Sequence, residues 1–151
     1  MGRQKSLKCP PIPKTWYDLK LPSIYLKSVS GEEWNIMDME LPNTSIGEKI
    51  LGFCSTSGQD MLRRSVEWYI DGTFDVVSST WFSQLWVIVV RTPFGVVLPA
   101  AFFLLPNKET MTYKLCLQQL QDFCKIEGPT WVHLDFEASA LKAVRLVKRF
   151  V

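Results

Sequence analysis

The chain has 151 residues and 47% hydrophobic content, the size and apolarity of one domain with a sizeable core. A net charge of +2 is too mild to mark a nucleic-acid binder from composition, although both ends are basic, with Arg3, Lys5, Lys8 and Lys14 ahead of the first acid and Lys142, Arg145, Lys148 and Arg149 near the close. Cys9, Cys54, Cys116 and Cys124 are scattered, with no C-x-x-C pair and one histidine, His133, so they make no zinc pattern; with no apolar leader at the start, an intracellular, reducing location is expected.

The opening MGRQKS fits the N-myristoylation pattern through Gly2 and Ser6, a short match that is common by chance, and no membrane partner is expected. Up to about residue 45, Pro10, Pro11, Pro13, Pro22 and Pro42 interrupt any sustained periodicity, which predicts an extended or partly ordered leader over residues 1–46. EKILGFC, residues 48–54, reads as a short strand, and Ser57 is placed to cap a brief helix running to Arg64.

Beyond Val66 the apolar pattern strengthens. Residues 66–74, 84–91 and 96–105 predict three strands in series, the last two joined by the turn TPFG. Arg91, Thr92 and Pro93 break the apolar run over residues 85–105 into pieces too short to cross a bilayer as helices, so a buried hairpin is expected there. Pro99 cannot donate to a ladder and places the third strand at the sheet's edge. Asn107 is placed to cap a helix with the stripe Tyr113, Cys116, Leu117, Leu120, Phe123 and Cys124, stopped by Gly128 and Pro129; both cysteines read as core. TWVHLDF, residues 130–136, is a further strand, and EASALKAVRLVKRFV an amphipathic helix.

WYIDGTF, residues 68–74, poses the chemical question. An ionised carboxylate in so apolar a run needs compensation. Alternation puts Glu67, Tyr69, Asp71 and Thr73 on one face of their strand, and Trp131, His133 and Asp135 on one face of the later one. Paired in parallel across the long crossover, the two strands would aim Asp71 and Asp135 at one point, where a shared proton or a divalent cation would relieve their repulsion. Oxygen ligands alone suit Mg²⁺ or Mn²⁺, and Gly72 would allow close approach beside the ligand. The plainer reading is that DGT simply turns the chain at the strand's end.

Together WYIDGTF, FSQLWVIVV, VLPAAFFLLPNKETMTY and DFEASALKAV resemble the transposase domain of Mutator-like elements (MULE), in the ribonuclease H-like superfamily, over residues 47–151. Four motifs stand in the family's order: DGTF, the pair Gln84 and Leu85, Lys108 before a helix bearing Tyr113, and DFE. The resemblance implies a mixed α/β (α+β) ribonuclease H-like fold, strand-strand-strand-helix-strand-helix, with the third strand at one edge and the first beside the fourth. It also implies a nuclear, DNA-cleaving and strand-transferring enzyme that uses Mg²⁺ or Mn²⁺.

Asp71 and Asp135 match the first two of three metal-binding acids, and the third belongs on a helix well beyond the second, past Val151. On that basis residues 47–151 read as a partial MULE transposase-like domain, inactive as written, with Glu137 opening a helix rather than replacing the missing ligand. The alternatives are a non-catalytic DNA- or protein-binding module that keeps the fold, or a ribonuclease H-like nuclease acting on RNA or hybrids. Lys108, Lys142, Arg145 and Arg149 are candidate DNA contacts, with solvated helix faces as the plainer reading; a homo-oligomer is compatible with either function. His133 could assist a proton transfer but reads more readily as structural, and Trp68, Trp81, Trp86 and Trp131 read as packing residues rather than base-stacking platforms.

Overall fold

A computed structural model describes residues 12–42, 44–73, 77, 80–135 and 137–147. After two single-turn 3-10 helices at Trp16–Asp18 and Ser23–Tyr25, the elements are β1 (Asn35–Glu40), β2 (Lys49–Phe53), α1 (Thr56–Arg64), β3 (Glu67–Thr73), β4 (Gln84–Arg91), β5 (Val97–Leu105), α2 (Thr110–Cys124), β6 (Trp131–Leu134) and α3 (Ala138–Leu146). The fold is mixed α/β. One six-stranded mixed sheet runs β1-β2-β5-β4-β3-β6, antiparallel throughout except for the parallel pair β3 and β6.

The expected order of the four strong strands is present as β5-β4-β3-β6, and the β4–β5 hairpin closes through Thr92 N–H to Val96 O at 2.8 Å, with Gly95 at φ +79°. Placing β5 at the edge was incorrect, because β2 and β1 extend the sheet past it. Pro99 is tolerated for another reason. The β4–β5 register slips between Ile88 and Val89, so Pro99 sits at a bulge, and β2 pairs only with Phe102–Leu104, short of the proline. The leader contributes structure as well: residues 35–40 form strand β1 despite the prolines around them.

Helix boundaries moved by local chemistry. Ser55, not Ser57, caps α1 by accepting from Gly58 N–H at 3.1 Å. Asn107 is not the cap of α2, which starts after Glu109; its Oδ1 instead accepts from Glu109 N–H at 3.1 Å and Thr112 Oγ1 at 2.6 Å. Lys125 in the left-handed region ends α2 before Gly128 is reached.

The strands' alternation divides the interior. Trp68, Ile70, Trp86, Ile88, Phe103 and Ile50 point to the face covered by the three helices, where Tyr113, Cys116, Leu117, Leu120 and Cys124 of α2 are buried with Leu62 of α1 and Ala140, Ala143 and Val144 of α3. Phe123 does not join the stripe and is 47% exposed. On the opposite face the described residues form a covering layer over β2 and β5. There Leu51, Phe53, Phe102 and Leu104 meet Trp16, Phe82, Trp34 and Trp81, with Trp16 edge-on to Trp81 and Phe82 at 5.2 and 5.5 Å. Over β4, β3 and β6 no described segment covers the outer face. No helix among the described residues is long and apolar enough to cross a membrane.

Candidate functional site

β3, β5 and β6 end, and β4 begins, at the same end of the sheet, since Thr73 pairs with Leu85 and Leu105 with Gln84 while β6 runs parallel to β3. The β3–β6 register sets Glu67 beside Trp131, Tyr69 beside His133 and Ile70 beside Leu134, so one further step brings Asp71 level with Asp135. This is the predicted juxtaposition. It follows from the crossover through α2, which returns the chain parallel to β3, as a short turn could not.

Asp71 and Asp135 are both exposed and line the same two hollows. One, of about 50 Å³, lies at the strand ends against Gly72, Trp86, Glu137 and Ala140; the other, of about 250 Å³, opens on the outer face beside Tyr69, Val89 and His133. Asp71 is exposed in a strand whose flanking Ile70 is buried, so solvent already relieves part of its desolvation cost. Its Oδ1 also accepts from Gly72 N–H at 2.8 Å. A larger apolar cleft of about 280 Å³ lies at the far end of the sheet, between Met61 and Arg64 of α1 and the turn at Thr92, Pro93 and Phe94, remote from both aspartates.

The outer face of β4, β3 and β6 reads as three rows: Arg91, Glu67 and Trp131; then Val89, Tyr69 and His133; then Val87, Asp71 and the position of Asp135. Glu67 ties the first two together. Its Oε1 accepts from Tyr69 Oη at 2.7 Å and lies 2.9 Å from His133 Nε2, while its Oε2 meets Arg91 Nε at 3.1 Å. The Tyr69 hydroxyl, with help from His133 and Arg91, holds the Glu67 carboxyl below the usual carboxylate range, and the Tyr69 phenol is raised in return. Individual residues of this face were legible by alternation; the hub was not, because nothing in the sequence announces a cross-strand network.

Glu137 is the N-cap residue of α3, as expected of a residue opening that helix, and it is also held from behind. Fully buried Gln84 donates through Nε2 to Tyr113 Oη, which donates to Glu137 Oε1 at 2.6 Å. Burial, followed by the Glu137 hydrogen bond, pushes the Tyr113 phenol well up, so it stays a donor. The relay joins three of the four motifs, through Gln84 of β4, Tyr113 of α2 and Glu137 of DFE, and holds Glu137 two residues beyond Asp135.

Lys108 is exposed in the loop after β5, at the carboxylate end of the sheet; Lys142 and Arg145 are exposed on α3, and neither lines the two hollows. Arg149 lies outside the described residues. Trp68 and Trp86 are buried as expected, but Trp131 is 65% exposed, so reading it as a packing residue was incorrect. It begins an edge strand, and no described segment covers it.

Among the described residues no group of three or more His, Cys, Asp and Glu side chains is arranged to hold a metal. As an exposed pair of oxygen donors, Asp71 and Asp135 would suit a hard cation that keeps much of its water rather than a closed zinc site. Comparison with protein-family models found no match, and comparison with curated proteins and with solved structures found no significant match.

Proposed function

We propose that this chain is a transposase-derived domain of the MULE type with a ribonuclease H-like sheet, in which Asp71 and Asp135 anchor a divalent cation against the backbone of DNA. The observation that carries the reading is the parallel pairing of β3 with β6, which sets the two aspartates over shared hollows at one end of the sheet. Supporting it, Gln84, Tyr113 and Glu137, which belong to three separate motifs of the resemblance, form one hydrogen-bonded relay behind that site. A Mg²⁺ or Mn²⁺ ion held there would stabilise charge on phosphate oxygens.

The protein's own residues do the rest. Asp71 and Asp135 supply the anchoring oxygens, the relay holds Glu137 two residues beyond Asp135, and Lys108 stands at the same end of the sheet, where phosphate would lie. In-line displacement needs charge stabilised on both the entering and leaving oxygens, which two carboxylates alone anchor poorly. The 151-residue chain is therefore expected to bind DNA weakly and without cutting it.

The test is titration of end-labelled duplex DNA with the purified chain in Mn²⁺ or EDTA. Weak, sequence-indifferent binding is expected, falling steeply with salt, strengthened by Mn²⁺ in wild type and not in Asp71→Asn. No binding at low salt in either condition, to this duplex or to a single strand, would contradict the reading and favour a protein-binding module. Metal-dependent cleavage abolished by Asp71→Ala would show that a third acid is at hand, with Glu137 or a second protomer the first sources to examine.

A further inference from the structure

Packing does not account for Trp131. It opens β6 with 65% of its surface in water, and by alternation it shares the outer face with His133 and Asp135. Leaving so large an apolar ring in solvent forgoes much of its burial energy. One row along the strand, the Tyr69 and His133 rings lie stacked, centroids 4.5 Å apart and planes 11° from parallel. Both are tied to the same Glu67 oxygen, so neither ring turns independently. Tyr69 covers one side of the imidazole, and the other side is turned away from β3, towards the free edge of the last strand among the described residues.

We propose that Trp131 and the Tyr69–His133 pair form a stacking platform for the bases of an unpaired DNA strand that lies along β6 and leads to Asp135 and Asp71. This rests on the DNA reading above and names the form of DNA that the face takes. Three observations select that occupant. Planar rings offered rigidly and in the open suit a planar ligand, because little side-chain entropy is lost on stacking.

The spacing selects an extended strand. Trp131 and His133 are two residues apart, about 6.6 Å along β6. That is roughly twice the 3.4 Å rise of a stacked strand, so the platform matches one separated base per aromatic and does not match a duplex. Charge selects the direction. At the Trp131 end Arg91 is paired with Glu67, whereas the two aspartates, Asp71 and Asp135, lie at the other end. A polyanion is opposed least where the aromatics are and requires a cation only where the carboxylates are.

The experiment measures fluorescence anisotropy at low salt with three labelled probes: a short oligothymidine, an abasic strand of equal length, and a short duplex. Wild type is expected to prefer oligothymidine. Trp131→Ala should weaken oligothymidine binding roughly five- to hundred-fold and leave the abasic strand unchanged. Tyr69→Leu should act in the same direction, and Phe94→Ala, at a 92% exposed position on the β4–β5 turn, should change nothing.

If Trp131→Ala binds oligothymidine as wild type does, the platform is wrong while the DNA reading stands. If wild type binds none of the three probes, both fall. Concentration-dependent dimerisation that Trp131→Ala abolishes, without oligonucleotide binding, would assign the face to a second copy of the chain and overturn the proposal.

Discussion

The two halves of the sheet's outer face follow opposite rules. Over β2 and β5 the outward residues are Leu51, Phe53, Phe102 and Leu104, as apolar as those pointing inward, and the N-terminal segment seals them with Trp16 and Trp34. Over β3 and β6 the outward residues are Glu67, Tyr69, Asp71, Trp131, His133 and Asp135, and no described segment covers them. A strand apolar on both faces requires a second layer, while a strand that alternates can leave one face for chemistry. The same sheet thus carries a structural half and a candidate functional half, and composition along each strand decides which is which.

Breaking the sealed half should cost the most. Trp16, 8% exposed, packs over the outer face of β2 and β5, and Trp16→Ala is expected to lower stability by about 3–5 kcal/mol in chemical denaturation. Loss below about 1 kcal/mol would mean that the N-terminal segment is not a second layer. The relay beneath the open half should come next. Tyr113→Phe strips a donor from Glu137 and an acceptor from fully buried Gln84, with an expected loss of about 1–3 kcal/mol.

The Glu67 hub on the open half should cost less and depend on pH. The Glu67 carboxyl is held below its ordinary value of 4.5, so the stability it contributes is present above that value and lost as pH falls through the lower, folded-state value. The difference between wild type and Glu67→Gln should therefore shrink as the solution is acidified below 4.5, and a difference that grows there would reverse the assignment. Smallest of all, Trp131→Ala should change stability by no more than about 0.5 kcal/mol, since the ring is 65% exposed. This near-zero value beside the large one at Trp16 is the sharpest form of the contrast.

Where periodicity was strong, the sequence was readable. Alternation located β3, β4, β5 and β6 to within a residue or two, and the long crossover predicted the parallel pairing that aligns Asp71 with Asp135. What failed depended on partners distant in the chain. Pro99 argued for an edge, but a bulge and the shortness of β2 make the same allowance inside the sheet. β1 was hidden among prolines because its reason to form is the edge of β2, to which it pairs from Asn35 to Glu40. Gln84, Tyr113 and Glu137 were visible as separate motifs; their union depends on how α2 and α3 pack over β4. Trp131 looked like core because tryptophan in a strand usually is, and only its position in the last strand of the sheet exposes it.

The central claim is that Asp71 and Asp135 act as one cation site on the open half. Paramagnetic broadening by Mn²⁺ in NMR spectra of the 151-residue chain tests it without requiring turnover. Trace Mn²⁺ is expected to broaden the amide signals of Asp71, Gly72, Leu134 and Asp135 together, excess Mg²⁺ to reverse the effect, and either Asp71→Asn or Asp135→Asn to abolish it at both strands. Broadening confined to one strand and insensitive to substitution on the other, or none at millimolar Mn²⁺, would contradict it.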